Sequence, residues 1–173
     1  ASQQGELLFD IIYIQEFIEQ IMRIVSVSYC WHGAEHPDPS GNMLAQIAAA
    51  LERAQTVPCM DPLCEGAEYQ LLPKGVAVFL DWCCVFQKDD AGNRTDEEWE
   101  IFEGALKSMQ VWYAHRSITV FLMSQMTDAK GVSYHAKGWP TFESSVAVLG
   151  KVNRLAMWPM VVHVGQPERS WQP

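Results

Sequence analysis

The sequence lacks the features that mark several large classes of protein. No apolar run approaches the roughly eighteen residues of a membrane span. The opening residues, "ASQQGELLFD", have neither the basic start nor the apolar core of a signal peptide. Lys and Arg number 12 against 21 acidic residues, and the formal charge of -9 opposes binding to phosphate backbones. We therefore expect a cytoplasmic protein that binds neither membranes nor nucleic acid.

Three nucleotide and hydrolase motifs are also missing. The chain has no G-x-G-x-x-G after its first predicted strand, no G-x-x-x-x-G-K-[ST] and no G-x-S-x-G. These absences remove the sequence support for a Rossmann cofactor site, a P-loop and an α/β-hydrolase nucleophile.

The cysteines argue against a disulfide framework, because they number five and two of them are adjacent. A zinc site is one alternative, with Cys59 and Cys64 as ligands together with His32 or His36. Their C-x4-C spacing has no second pair placed as in a zinc ribbon. We therefore predict reduced, mostly buried thiols and no metal site.

A nucleophilic thiol is a second alternative. Cys30 follows a predicted strand and could be activated by His32 or His135. A buried cysteine at the end of a strand is the commoner situation.

Strands and helices alternate along the chain. Strand patterns cover residues 24–31, 75–82, 117–124 and 158–165. Helical patterns cover residues 6–22, 41–54 and 95–113, the last opened by a Thr95-x-x-Glu98 capping box. A further helix starts near Trp139. This order predicts an α/β, three-layer domain over residues 24–173, with a parallel sheet of four or five strands. Residues 1–23 are expected to add an amphipathic N-terminal helix.

In such sheets, ligands bind outside the carboxyl ends of the strands. The loops after Tyr29, Asp81 and Ser124 follow three consecutive predicted strands. We expect these loops to share one crevice, bordered by the helix that carries Trp139 and Glu143.

Glu143 is unusual because it lies early in an otherwise apolar helix, within "GWPTFESSVAVLG". Pro140 suits the first helical position, which puts Trp139 near the N-cap and Glu143 at the end of the first turn. The free amides there should keep the carboxylate ionised at neutral pH. This dipole effect is a sufficient explanation without any catalytic role. The face expected to be buried is formed by Phe142, Val146 and Leu149.

The order of these segments resembles the TIR superfamily, including its TIR-like and HET-like branches. Five features, in this order, carry the resemblance: a first strand ending in a Ser-Tyr pair, a "VFLD" second strand, a third strand ending in Ser, a tyrosine, and a helix that starts with Trp-x-x-x-Glu. These features fall at Ser28 and Tyr29, at Val78 to Asp81, at Ser124, at Tyr134, and at Trp139 with Glu143.

The resemblance implies a flavodoxin-like fold and cleavage of the nicotinamide-ribose bond of NAD or a related nucleotide, with Glu143 as the catalytic residue. NAD would be a substrate, and no cofactor is implied. An aromatic ring could stack on the substrate, and Arg94 could contact its diphosphate. The expected substrate-binding residues are Tyr29, Trp31, Asp81, Trp82, Arg94, Ser124 and Trp139.

The same resemblance implies self-association, because many domains of this group complete their site across a subunit contact in immune or cell-death signalling. A homo-oligomer is therefore expected. The alternative function is a non-catalytic scaffold that signals through homotypic assembly.

Overall fold

A computed structural model describes residues 23–56, 58–59, 69–70, 75–89, 91–115, 118–150 and 161–166. The helix predicted over residues 6–22 lies outside these ranges. The strands are β1 (Arg23–Ser28), β2 (Pro58–Cys59), β3 (Tyr69–Gln70), β4 (Val76–Phe79), β5 (Ile118–Leu122) and β6 (Val161–His163). The α-helices are α1 (Asn42–Thr56), α2 (Asp81–Cys84), α3 (Asp96–Ser108), α4 (Gln110–Ala114) and α5 (Gly138–Gly150). A single 3₁₀ turn, Tyr134–Ala136, precedes α5.

The main sheet has the order β4-β1-β5-β6, and each neighbouring pair is parallel. This confirms the predicted parallel α/β sheet, with four strands in the described ranges. In chain order, the second strand of this sheet is β4, which lies at the sheet edge beside β1. The next two strands, β5 and β6, follow on the other side of β1. That is the flavodoxin-like order, in which a topological switch point lies beside the first strand. The short β2 and β3 form a separate antiparallel pair.

Helices cover both faces of the sheet, which confirms the three-layer architecture. On one face, Val25 and Val27 of β1 pack with α1. The residues of α1 that are buried there are Met43, Ile47, Ala50 and Ala54. On the other face, Val120 and Leu122 of β5 pack with Tyr113 of α4 and Ala147 of α5. None of the helices in the described ranges is long and apolar enough to cross a membrane.

The serines of β1 are fully buried on the α4 and α5 side of the sheet. Ser26 donates to the carbonyl oxygen of Trp112 at 2.9 Å, and Ser28 donates to the carboxylate of Glu143 at 2.6 Å. A buried hydroxyl without a partner would destabilise the fold, so each serine requires its acceptor. The polar residues of the strand thus join the central strand to α4 and α5.

The capping box predicted at the start of α3 is confirmed. The Thr95 amide donates to Glu98 Oε2 at 2.9 Å, and the Glu98 amide donates to Thr95 Oγ1 at 3.2 Å. Both bonds satisfy amides that have no partner inside the helix. They fix the end of the loop that carries Arg94.

Candidate active site at the carboxyl ends of the strands

Glu143 reaches across from α5 to the last residue of β1, beside the switch point of the sheet. It is the sixth residue of α5, because the helix begins at Gly138, two residues before the position predicted for its start. Pro140 still lies in the first turn, where a missing amide hydrogen removes no intrahelical bond. The Glu143 side chain is only 2% exposed, and its Oε2 accepts from Ser28.

Burial raises the pKa of Glu143 to about 8. Hydrogen bonds from Ser28, Tyr113 and Trp139 oppose this shift, and the charge of Asp81 adds to it. The prediction that Glu143 is ionised at neutral pH is therefore wrong for the free protein. The field of the helix terminus fades beyond the first turn, and desolvation of the carboxylate is the larger effect.

The buried face of α5 also differs from the prediction. Phe142 is 44% exposed and Leu149 is 78% exposed, while Val146 is partly buried. The buried positions are instead Pro140, Glu143 and Ala147. This helix packs its glutamate inward because Ser28 supplies a buried partner, which an apolar pattern along one segment does not reveal.

A tyrosine completes the surroundings of the carboxylate. Tyr134 is fully buried, and its hydroxyl lies 2.5 Å from Ser28 Oγ. The same hydroxyl donates to the carbonyl oxygen of Pro140 at 3.1 Å. Burial raises the pKa of Tyr134, so its hydroxyl keeps its proton. Ser28 and Tyr134, which contributed to the family resemblance without an assigned role, are thus joined to Glu143.

A cleft of about 880 Å³ opens next to this network. Five of the predicted site residues line it: Trp31, Asp81, Trp82, Arg94 and Trp139. Trp139 is 45% exposed and also contacts the Glu143 carboxylate. Its indole therefore lies between the open cleft and the buried carboxylate.

Asp81 organises the wall of the cleft after β4. Its carboxylate accepts from the Tyr29 hydroxyl, from Trp31 Nε1 at 3.3 Å and from the Trp82 amide at 2.7 Å. The Trp31 and Trp82 rings meet edge to face with centroids 5.1 Å apart. Burial and the neighbouring Asp81 raise the pKa of Tyr29, which therefore stays a donor. Tyr29 is itself buried, so it orients Asp81 and the two indoles rather than forming the cleft surface.

Arg94 supplies a fixed cation at the other wall. Its Nε donates to the carbonyl oxygen of Phe86 at 2.8 Å, and its guanidinium carbon lies 3.8 Å from the centre of the Phe102 ring. Stacking and this hydrogen bond restrict the side chain, while its terminal nitrogens can still serve an anion.

Ser124 is not brought to the cleft. It lies after β5, and its hydroxyl is 3.3 Å from Nδ1 of His163 at the end of β6. Burial lowers the pKa of His163, which favours the neutral imidazole. The cleft is formed beside β1 and β4, on the opposite side of β1 from β6. The expected shared crevice therefore holds for the loops after Tyr29 and Asp81 and fails for the loop after Ser124.

Two residues before α5, Asp128 and Lys137, were not predicted from the sequence to support the site. Asp128 Oδ1 accepts from the amides of Lys130 and Val132, both at 2.8 Å, and Oδ2 accepts from Lys137 Nζ. These contacts lower the pKa of Asp128 to about 2, the Lys137 hydrogen bond having the largest effect. Lys137 immediately precedes α5, so this pair fixes the start of the helix that carries Trp139. The available signal was "TDAKG", whose Asp and Gly are typical of a tight turn.

The surroundings of Cys30 do not support the nucleophilic-thiol alternative. The Cys30 thiol is buried and directed at the carbonyl oxygens of Trp31 and Val132, and burial raises its pKa. A thiol with a raised pKa is a poor nucleophile. Cys83 and Cys84 are exposed, contrary to the prediction of mostly buried thiols.

The side chains of Cys59 and Cys64, the cysteines of the alternative zinc site, lie outside the part of the chain that is described. Within that part, no group of three or more His, Cys, Asp or Glu side chains could hold a metal ion.

Comparisons with protein-family models, with curated proteins and with solved structures find no match for this chain. The function has to be inferred from the residues of this site.

Proposed function

We propose that this protein is a TIR-like hydrolase that cleaves the nicotinamide-ribose bond of NAD, with Glu143 as the catalytic residue. The observation that carries the proposal is the position of Glu143: a buried carboxylate at the end of the central strand, separated by Trp139 from a cleft of about 880 Å³. A volume of this order suits a nucleotide-sized ligand. A buried, perturbed carboxylate beside a cleft is a physical indicator of a catalytic group.

The reaction breaks the bond between ribose C1′ and the pyridinium nitrogen, and the bonding electron pair leaves with nicotinamide. The ribose becomes oxocarbenium-like, and water then adds to C1′ and releases a proton. An ionised carboxylate fixed nearby stabilises that cation and can hold the ribose hydroxyls. In a site that excludes water, this stabilisation is stronger than it would be in solution.

The raised pKa of Glu143 does not oppose this role. The nicotinamide ring of NAD is cationic, and a cation near a carboxyl group favours the ionised form. Substrate binding is therefore expected to release the proton that the free protein holds. Trp139 must turn away from the carboxylate for the ribose to approach it, since Glu143 is only 2% exposed.

The walls of the cleft suit the remaining parts of NAD. Trp31 and Trp82 provide aromatic faces for a base. Asp81, which accepts from Trp31 Nε1, lines the same cleft with a carboxylate that can also accept from ribose hydroxyls. Arg94 is placed for the diphosphate. The proposed enzyme acts in the cytoplasm and is switched on by self-association.

A second candidate is a scaffold of the same fold that signals by homotypic assembly without chemistry. The exposed apolar side chains of Trp139, Phe142 and Leu149 on one side of α5 favour it, and the Trp139 and Phe142 rings are in contact. Apolar side chains clustered on a surface often mark a protein contact.

The test is nicotinamide release from NAD over a series of protein concentrations at pH 8.5. We compare the wild type with Glu143→Gln and with Glu52→Gln, which makes the same chemical change at an exposed site on α1. The expected result is release that Glu143→Gln abolishes and Glu52→Gln leaves intact. Equal release by Glu143→Gln would contradict the catalytic role, and assembly without nicotinamide at any concentration would favour the scaffold.

A further inference from the structure

Three buried groups next to the cleft form a continuous hydrogen-bonded chain. Glu143 Oε2 lies 2.6 Å from Ser28 Oγ, Ser28 Oγ lies 2.5 Å from the Tyr134 hydroxyl, and that hydroxyl lies 3.1 Å from the Pro140 carbonyl oxygen. Either hydroxyl can be the donor in the middle contact. Tyr134 and Ser28 are fully buried, so water does not substitute for a missing partner at either hydroxyl.

This hydrogen-bonded chain has three contacts, and the number of protons available to them depends on whether Glu143 is protonated. Ser28 and Tyr134 bring one hydroxyl proton each. When Glu143 is ionised, two protons serve three contacts, and one contact has no donor. When Glu143 is protonated, each contact has one donor, and all point the same way, from Glu143 to Ser28, to Tyr134, to Pro140.

From this proton count, and from the greater strength of a hydrogen bond to a charged acceptor, we infer that Ser28 and Tyr134 set the protonation state of Glu143 in opposite directions. Ser28 donates to the ionised carboxylate and stabilises it, because hydrogen bonds to a charged acceptor are the stronger kind. Tyr134 stabilises the protonated form, because it accepts the Ser28 proton and passes its own to Pro140. Tyr134 is thus a positioning residue that keeps Glu143 as the neutral acid until a cation arrives.

Other groups face Glu143 from the surrounding elements, and they do not change the direction in which Ser28 and Tyr134 act on its protonation. Asp81, after β4, disfavours the ionised carboxylate through its charge, while Tyr113 on α4 and Trp139 on α5 donate to it. The Tyr113 hydroxyl also lies 3.5 Å from the Val27 carbonyl oxygen. Ser144 contacts the Tyr134 hydroxyl. The contacts of Asp81, Tyr113 and Trp139 with Glu143 remain in place when only the Ser28 or the Tyr134 oxygen is removed. Tyr134→Phe also removes the Ser144 contact, but it does so in both protonation states of Glu143.

The consequence for catalysis rests on the proposed function, but the protonation of Glu143 can be measured without any activity. Tyr134→Phe should lower the pH at which Glu143 ionises, because the protonated form loses two contacts and the ionised form loses one. Ser28→Ala should raise it. The protonated form loses two contacts between neutral groups, whereas the ionised form loses a charge-assisted hydrogen bond, which stabilises the carboxylate more strongly. Each change should be about half to one pH unit, the size that one net hydrogen bond gives.

The experiment follows the side-chain carboxyl carbon of Glu143 by carbon NMR in protein with isotope-labelled glutamate, from pH 5 to pH 10. The signal is assigned by its loss in Glu143→Gln. The double variant Ser28→Ala with Tyr134→Phe is included, since Tyr134 reaches the carboxylate only through Ser28. The Tyr134→Phe change should have no effect once Ser28 is alanine.

Midpoints that move in opposite directions, with no Tyr134→Phe effect in the double variant, would support the inference. Midpoints that move the same way, or a Tyr134→Phe effect that persists without Ser28, would overturn it. If Ser28→Ala does not fold, Tyr134→Phe decides alone, since an unchanged or raised midpoint contradicts the inference. A protein that shows these shifts but releases no nicotinamide would retain the proton control and lose the proposed enzyme function.

Discussion

Replacing Glu143 by Gln should make the protein more stable at alkaline pH, although it removes the proposed catalytic group. Glutamine keeps the shape of the side chain and can still accept from Ser28, but it carries no charge to desolvate. In the wild type, burial raises the pKa of Glu143 from 4.5 to about 8. Between these pH values the folded chain holds a proton that the unfolded chain has released.

The sign and size of the effect follow from that difference. The unfolded state binds fewer protons in this window, so the stability of the wild type falls as pH rises from about 4.5 to about 8 and is constant above that. At about 1.4 kcal/mol per pH unit, the upper bound is about 5 kcal/mol. Local relaxation of the side chain toward water reduces such penalties, so we expect about 2 to 5 kcal/mol.

The assay is urea denaturation followed by tryptophan fluorescence, repeated from pH 5 to pH 9. The quantity compared is the unfolding free energy of Glu143→Gln minus that of the wild type. It should rise with pH across the window and then level off, while Glu52→Gln should show no such trend. A difference that is independent of pH, or that falls as pH rises, would refute the idea that the folded protein buries Glu143 as a neutral acid.

Three further variants test the neighbouring parts of the site. Trp139→Ala should lower the pKa of Glu143, because exposure to water removes the largest cause of its increase and outweighs the loss of the Trp139 hydrogen bond, and it should raise KM for NAD. An unchanged carboxyl titration would show that the indole does not shield Glu143. Arg94→Ala should raise KM with little change in kcat, as expected for uniform binding of the diphosphate, whereas a loss confined to kcat would argue against that contact. The Lys137 contact lowers the pKa of Asp128, so the wild type has stability above about pH 4 that it loses as pH falls toward 2. Asp128→Asn should remove this stability, and acid unfolding titrations that match the wild type would exclude the contribution.

The sheet could be predicted from the sequence because each of its strands has a local signature. The runs around Val76–Phe79 and Ile118–Leu122 are apolar on both faces, as buried parallel strands require. Alternation with helical patterns then restricts the topology to a few arrangements. The local patterns do not encode the order of the strands, which only the family resemblance implied.

The candidate site was only partly accessible from the sequence. The helix start at "GWPTFE" identified Glu143 and Trp139, and the strand ends identified Asp81 and Trp82. The ionisation of Glu143 was predicted wrongly because it depends on burial between α5, α4 and β1, which no single segment encodes. Tyr113 is the last residue of the helical pattern predicted over residues 95–113, and its proximity to Glu143 could not be predicted because it depends on how two helices pack.

Ser124 was predicted to border the cleft and does not, which shows the same limit of prediction from local patterns. It lies at the end of a buried strand, as the crevice rule requires, yet it pairs with His163 of the neighbouring strand. The rule selects an edge of the sheet, whereas the side-chain partners decide which strand ends form the cleft.

The most direct test of the proposed function is the pH dependence of nicotinamide release from NAD. We predict that kcat/KM rises with pH to a plateau above about 8, where Glu143 is ionised in the free protein. The profile of kcat should reach its plateau at lower pH, because bound cationic NAD favours the carboxylate. A rate that falls with pH, or a profile that is the same in Glu143→Gln, would contradict the assignment of Glu143 as the catalytic carboxylate.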